Sequence, residues 1–295
     1  MVLPVSANAS VPGGDFVLTI VCPDRPGIVH AVSGFLVRHS GNIIESQQFD
    51  DRQADRFFMR IDFEIQGPTP RADELRADFA AVAADFDMAF ELWEAAAPYR
   101  TLIMVSRQLH CLNDLLFRQS TGALQIAIPA VVSNHPDAAG LARTYDVPFH
   151  HVPVTSASKA DAEAELLGLV KEYDVDLVVL ARYMQVLSPG ACAALEGRAI
   201  NIHHSFLPSF KGARPYHQAY ERGVKLVGAT AHYVTTDLDE GPIIEQDVMR
   251  VDHAHTAEHL ASAGRDVEAQ VLSRAVRWHS ESRVLPNDNR TVVFR

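Results

Sequence analysis

Cysteine is scarce. Cys22, Cys111 and Cys192 are the only three in 295 residues, far apart and odd in number, so the chain offers neither a disulfide framework nor a cysteine-based zinc site. No metal is expected, and a reducing cytoplasm is the expected location. Positive charge is also short: 26 Lys and Arg stand against 37 Asp and Glu, a formal net charge of -11, with no basic cluster to override the balance. That argues against a surface tracking nucleic-acid phosphates, and no nucleic acid is expected as partner. Long apolar runs are missing as well. Nothing approaches the roughly 20 apolar residues of a membrane span, and residues 1–14 lack the basic head and apolar stretch of an export signal. No membrane association is expected, and residues 1–14 read as a flexible leader.

What remains has room for two domains at roughly 100 to 200 residues each. Residues 16–22 form a short apolar strand. Pro23-Asp24-Arg25-Pro26-Gly27 then opens a helix over about 28–39, with apolar residues at Ile28, Val29, Val32, Phe35 and Leu36. Ser40-Gly41-Asn42 predicts a left-handed helix end, and a strand follows at 43–49. Residues 56–65 alternate, with Phe57, Met59, Ile61 and Phe63 on one face and charge on the other, which predicts a sheet with one wet face. A helix near 71–86 and a strand at 88–93 complete a ferredoxin-like βαββαβ unit. The expected domain is 15–94, with a linker at 95–99 broken by Pro98.

From residue 100 the grammar changes. Continuous apolar strands at 101–105, 126–132, 149–154 and 176–180 are separated by helical stretches such as 160–173, which predicts a Rossmann-like, mostly parallel α/β sheet covered on both faces. Strands at 227–234 and 243–251 lie close enough to be antiparallel. A long helix near 256–278 and a hairpin turning at Asn287-Asp288-Asn289 end the domain, expected over 100–295.

One stretch organises this second domain: Asn201-Ile202-His203-His204-Ser205-Phe206-Leu207-Pro208-Ser209-Phe210-Lys211-Gly212, with an acidic turn downstream at Asp237-Leu238-Asp239-Glu240-Gly241-Pro242. A buried strand ends at His203, and ligands in open α/β sheets gather beside strand ends. An amide, an imidazole and a carboxylate suffice for acyl transfer: one polarises a carbonyl, one moves protons, one orients the imidazole. The same residue types also make an ordinary polar strand end that caps the next helix.

Two resemblances bear on the choice. Residues 15–93 resemble an ACT domain, most specifically at Cys22-Pro23-Asp24-Arg25-Pro26-Gly27-Ile28-Val29. An amino-acid effector is implied, with Asp24, Arg25, Gly27, Ile28 and Asn42 around it; the turn's free amide hydrogens suit a carboxylate. Residues 99–294 resemble the formyltransferase fold that uses 10-formyltetrahydrofolate, through the 201–212 stretch and Asp239, seven residues beyond His232. An ACT domain ahead of such a domain is the arrangement of the formyltetrahydrofolate deformylase family.

The resemblance implies roles. Asn201 would stabilise the oxyanion, His203 would carry protons and Asp239 would support it. His204, His217 and His232 would be structural or supporting. Folate would lie along Arg182-Tyr183-Met184-Gln185-Val186-Leu187, with Met184, Gln185, Val186, Leu187 and Thr236 as its contacts, although Gln185 stands where the transferases commonly have Arg. No cofactor is implied beyond the folate substrate, and a homo-oligomer, dimer or tetramer, is expected.

The three catalytic residues serve hydrolysis and transfer equally. Transferases that act on a phosphorylated amine place a glycine-rich loop after the first strand of this domain. Here residues 106–116 contain no glycine, and His110 and Leu112 are expected to crowd that space. Water is therefore the expected acceptor, in a hydrolysis feeding purine and one-carbon metabolism. A formyltransferase with an unphosphorylated acceptor, a catalytically silent folate or amino-acid sensor, and a histidine-based metallohydrolase are the alternatives.

Overall fold

The structure is a computed structural model that describes residues 14–67, 70–208 and 215–295. The expected leader, Gly14 apart, and residues 209–212 of the central motif lie outside the described residues. The chain divides into two compact units. One runs to Ala97 and takes in Glu281–Leu285 and Phe294–Arg295; the other is Pro98–Ser280 with Pro286–Val293.

In the first unit β1 (Gly14–Pro23), α1 (Ile28–Arg38), β2 (Gly41–Asp51), β3 (Arg56–Ile65), α2 (Ala72–Asp85) and β4 (Ala89–Glu94) follow in βαββαβ order. Their sheet is antiparallel in the order β2-β3-β1-β4. Period-two alternation turns Phe16, Leu18 and Ile20 of β1 toward the helices. Ile28, Val32, Phe35 and Leu36 of α1, spaced by three and four, meet them there with Leu75 and Phe79 of α2. Phe35 and Phe79 pack edge to face at 5.0 Å. The left-handed residue after α1 is Ser40, with φ 56, not the glycine. Gly41 already belongs to β2, where a Cβ would come within 3.2 Å of the Leu36 carbonyl oxygen.

The expected wet face of β3 is covered. Phe58 is fully buried, and so is Arg60, which lies on the same face. Arg60 donates through Nη1 to Glu45 at 2.8 Å and through Nε to the Glu281 carbonyl at 3.0 Å, while Arg283 donates to Glu45 at 3.0 Å. Glu281 and Arg283 come from the chain's C-terminal return, more than 200 positions downstream of β3 in the sequence, which local alternation cannot announce. The expected catalytic domain ran to residue 295, whereas Glu281–Leu285 count with the first unit for this reason.

The second unit begins with β5 (Tyr99–Val105), α3 (His110–Ser120), β6 (Ile126–Ala127), β7 (Val131–Ser133), α4 (Ala139–Thr144), β8 (Phe149–His151), α5 (Lys159–Glu172) and β9 (Leu177–Leu180). It continues with α6 (Pro189–Ala194), β10 (Ala199–His203), α7 (Pro215–Glu221), β11 (Leu226–Tyr233), β12 (Ile243–Arg250) and α8 (Ala257–Ser280). β13 (Val284–Asn287) and β14 (Arg290–Val293) form the two-stranded sheet at the end, turning at Asp288 with φ 54. The single strand expected over 126–132 is two pieces, because Pro129 supplies no amide hydrogen to continue the ladder. The main sheet runs β12-β11-β10-β9-β5-β7-β8, with β6 also on β5. It is parallel from β10 to β8 and antiparallel at β11 and β12.

Strand order reverses at β5: β7 lies on one side and β9 on the other, so the loops leaving β5 and β9 diverge and open a crevice. Ser106, just past β5, stitches the two loops. Its hydroxyl donates to Asn134 at 2.7 Å and accepts from the Met184 amide at 3.0 Å, and its own amide donates to the Arg182 carbonyl. Among the described residues, no helix is long and apolar enough to cross a membrane.

Arg60→Ala leaves the Glu281 carbonyl without its donor and empties a buried position, so urea unfolding is expected to show a loss of about 2 to 3 kcal/mol. A loss below roughly 0.5 kcal/mol, the range of an exposed pair, would show this face to be solvated after all.

Candidate active site

A cavity of about 580 Å³ opens at this crevice. Gln108 borders it from the β5 loop, residues 182–187 from the β9 loop, Asn201 and His203 from the end of β10, and residues 234–239 from the turn after β11. Asn201 lies opposite His232 in the β10–β11 register, so antiparallel pairing alone brings them together. His232 accepts or donates according to its tautomer, and its neighbours decide which. Nδ1 sits 2.8 Å from the Tyr233 carbonyl oxygen, which can only accept, so Nδ1 carries the hydrogen. Nε2 of the neutral ring is then an acceptor, and the Asn201 amide donates to it at 3.2 Å. One hydrogen of that amide is used in this way. The other stays available for a ligand oxygen.

His203 is buried, and Nδ1 lies 3.3 Å from Oδ2 of Asp239. With Nδ1 donating to the carboxylate, Nε2 is left with its lone pair; that atom is buried and has no hydrogen-bond partner among the described residues. The hydrogen bond from Nδ1 of His203 holds the Asp239 carboxyl well below the usual carboxylate range, against the opposing effect of burial. Its second oxygen is 3.7 Å from Nε2 of His232.

The turn that delivers Asp239 is tightly constrained. Asp239 has a φ of 57, and the Tyr233 amide donates to the Pro242 carbonyl at 2.9 Å. Gly241 must lack a side chain, since a Cβ there would fall on the Tyr233 carbonyl oxygen, the same atom that sets the His232 tautomer. Thr230 and Gln246 hold the chain beyond His203: Thr230 Oγ1 accepts from the Leu207 amide and from Gln246 and donates to the Ser205 carbonyl.

The expected folate residues Met184, Gln185, Val186, Leu187 and Thr236 all line the cavity. Met184 and Val186 are 58% and 55% exposed, and Leu238 from the facing turn is 62% exposed, which leaves an apolar rim. His204 and His217 also line it. Burial, with the Arg182 guanidinium beside it, pulls His204 down to about 4, so it is neutral near pH 7. His110 and Leu112 do not crowd the loop as expected. Helix α3 starts at His110, which turns Leu112 into the core and carries Nε2 of His110 to 2.7 Å from Glu268.

Sequence reasoning missed a polar cluster beside these groups. Glu268 accepts from His110 and from the Tyr216 hydroxyl, both at 2.7 Å, and Nε of Arg182 lies 3.4 Å away. Burial would push Glu268 up; the His110 hydrogen bond, the Arg182 charge and the Tyr216 hydroxyl outweigh it and leave the carboxyl below its ordinary value. One signal was legible: Glu268 stands on the apolar stripe of α8, with Gly264, Val271, Leu272 and Ala275.

The effector residues belong to the first unit. α1 opens at Gly27, with φ 101 and no side-chain cap, which leaves its leading amides without one. Three of the five expected side chains are otherwise engaged. Ile28 is in the core, Arg25 donates to the Asp85 carbonyl and stacks over Phe86 at 4.6 Å, and Asn42 donates to Glu64 at 3.0 Å.

The Formyl transferase family model matches residues 99–276, and the ACT domain model matches 16–80. Over 279 residues, 95% of this chain and 98% of the relative, the chain is 56% identical to formyltetrahydrofolate deformylase from Corynebacterium sp. (strain P-1). The chain belongs to the formyltetrahydrofolate deformylase family. The solved deformylase from Burkholderia mallei is 53% identical and superposes with a TM-score of 0.90, covering 96% of this chain and all of that one. Glycinamide ribonucleotide transformylase 1 from Symbiobacterium toebii is 32% identical with a TM-score of 0.63, covering 67% of this chain and 95% of its own. The family is one of hydrolases, and its catalytic fold is shared with a transformylase.

Asp239→Asn removes a carboxylate whose charged form the fold favours. The stability it contributes is present above its unfolded pKa of about 4 and is lost as pH falls toward the depressed folded value. Thermal unfolding should therefore separate the two proteins most at neutral pH, and the gap should shrink below about pH 4; a gap independent of pH would remove the charge from the account.

Proposed function

We propose that the protein hydrolyses 10-formyltetrahydrofolate to tetrahydrofolate and formate. The observation that carries this is Nε2 of His203: a buried, unpartnered imidazole nitrogen on the cavity, with its Nδ1 committed to Asp239. Folate would lie against Met184, Gln185, Val186, Leu187 and Thr236, its flat ring between the apolar rim residues. The formyl oxygen would take the free hydrogen of the Asn201 amide, an oxyanion contact of about 3 kcal/mol. His203 would take a proton from water as it attacks, and deliver it to the departing nitrogen. Asp239 would stabilise the imidazolium between those steps. His232, through the Asn201 amide, is the positioning residue. Nothing in these steps calls for a cofactor, and Nε of Arg182, 3.4 Å from Glu268, already supplies a positive charge to one member of the His110, Cys111 and Glu268 group.

The same three groups would serve a transferase with an unphosphorylated acceptor. Formate release without any added amine decides between them. We expect the purified protein to release formate stoichiometrically from 10-formyltetrahydrofolate alone. Asn201→Ala should lower kcat on the order of a hundred- to a thousandfold. His203→Ala and Asp239→Ala should each lose most turnover, with the double variant little worse than the worse single. Multiplying losses would exclude a shared proton relay.

We further infer that the first unit binds an amino acid and adjusts this activity within a cytoplasmic homo-oligomer, a dimer or tetramer, that serves one-carbon and purine metabolism. The uncapped start of α1 is the support: its amides suit a carboxylate and Asp24 an ammonium group, whereas Arg25, Ile28 and Asn42 would contribute backbone rather than side chain. Apolar Ile43, Ile44 and Phe49 are exposed on the edge strand β2, a surface that a second copy would cover. Glycine or methionine should change the rate several-fold, a coupling of about 1 to 3 kcal/mol. Unchanged rate and unchanged thermal stability with both would confine this unit to assembly.

A further inference from the structure

The buried charge beside the catalytic groups has no part in the steps above. Arg182 is 7% exposed and Glu268 is 1% exposed, and removing such ions from water costs several kcal/mol each. An apolar recess for a flat neutral ring has no use for them. Yet several separate elements converge to hold this pair. Gln108 from the β5 loop accepts from Nη2 of Arg182 at 2.9 Å; His110 at the start of α3 and Tyr216 on α7 both bond Glu268 on α8. Gly264, one turn before Glu268, has no side chain because the Tyr216 ring occupies that space.

The guanidinium itself is held in place but not satisfied. Its backbone is in the left-handed region, φ 64, tied by the Ser106 amide to its carbonyl oxygen. Nη1 is buried and has no hydrogen-bond partner among the described residues. Arg182 borders the same cavity as Asn201 and His203. His204 joins the two sets: its ring centroid is 5.3 Å from that of His203 and 6.4 Å from that of Tyr216. A buried donor with unused hydrogens and a proton acceptor on residues that line one cavity suit a molecule that accepts from the first and donates to the second.

We propose that Arg182 selects water as the formyl acceptor by donating a hydrogen bond to the attacking oxygen, which an amine cannot receive and still react. The distinction lies in lone pairs, and it rests on the hydrolytic reading above. Water has two lone pairs. One accepts from Arg182, the other attacks the formyl carbon, and a water proton passes to Nε2 of His203. The new C–O bond forms, the C–N bond breaks with its electron pair going to the folate nitrogen, and His203 returns the proton there. Formic acid then loses its remaining proton to solvent as formate. A neutral amine has one lone pair: spent on Arg182, none remains for attack. A protonated amine has none and meets a fixed positive charge. Since the formyl transferase fold also occurs in a glycinamide ribonucleotide transformylase, the fold leaves this choice open and the donor on the wall makes it.

2,2,2-Trifluoroethylamine is the probe, a small, weakly basic amine whose nitrogen is its one effective hydrogen-bond acceptor and whose formamide is read by fluorine NMR. The full-length protein is supplied with 10-formyltetrahydrofolate and this amine, and formate and the formamide are measured together. The unsubstituted protein should give formate almost alone. Arg182→Met with Glu268→Gln, which removes the donor without stranding a charge, should raise the formamide share roughly tenfold or more. Gln108→Leu, at an exposed position that anchors the guanidinium, should move the share in the same direction and decides the matter if the double variant does not fold. Arg182→Lys keeps a cationic donor and should stay near the original ratio. An unaltered ratio in a folded variant that still releases formate overturns the proposal, as does a high formamide share in the unsubstituted protein. Absence of formate from the unsubstituted protein without added amine would instead overturn the hydrolytic reading itself.

Discussion

The contact between Nδ1 of His203 and the Asp239 carboxylate is the constraint on which the arrangement of the candidate site depends. An imidazole whose Nδ1 donates to a carboxylate has its tautomer and ring plane set, which leaves the lone pair on Nε2. Holding Asp239 there requires a turn that doubles back on β11. That turn requires Gly241, because its backbone lies against the Tyr233 carbonyl. The same carbonyl fixes His232, and His232 orients the Asn201 amide. One close backbone approach thus sets two side chains of different chemistry, the Asn201 amide and the His203 imidazole.

Sheet topology explains why these groups meet. The reversal of strand order at β5 separates two loops, and the Ser106 hydroxyl keeps them from drifting apart by bonding Asn134 and the Met184 amide. Met184 and Val186 on the β9 loop then stand exposed as a rim beside Leu238, and a contiguous apolar patch of this kind marks a place where something binds. Deeper in, Arg182 and Glu268 satisfy one another only in part. A charge pair buried at a net cost is weak evidence of stability and stronger evidence of a task.

The first unit illustrates a different dependence. Its helices cover one face of the sheet in the ordinary way, through the spacing of Ile28, Val32, Phe35 and Leu36. The opposite face is closed by the C-terminal return through Arg60, Glu45, Glu281 and Arg283. The fold of this unit therefore uses residues from both ends of the chain. Its helix opening at Gly27 remains uncapped, whereas the start of α6 is capped by Ser188, which accepts from the Ala191 amide at 3.2 Å.

Sequence alone determined both fold types and the βαββαβ order of the first unit, and it singled out Asn201, His203 and Asp239 as candidates, because each is written in short-range terms: period-two and period-3.6 alternation, Pro and Gly at boundaries, and polar runs at strand ends and turns. It misjudged β3, where alternation reports which residues could be wet but not which later segment covers them. It misplaced His110 and Leu112, since a helix beginning at His110 rotates both away from the loop. The pairing of Arg182 with Glu268 was beyond its reach for a plainer reason. Gln108 lies 74 residues from Arg182, and His110 lies 158 from Glu268. Whether a buried charge is paired, and which of its hydrogens are left over, depends on partners within a few ångströms in space, and only the tertiary structure decides who those are.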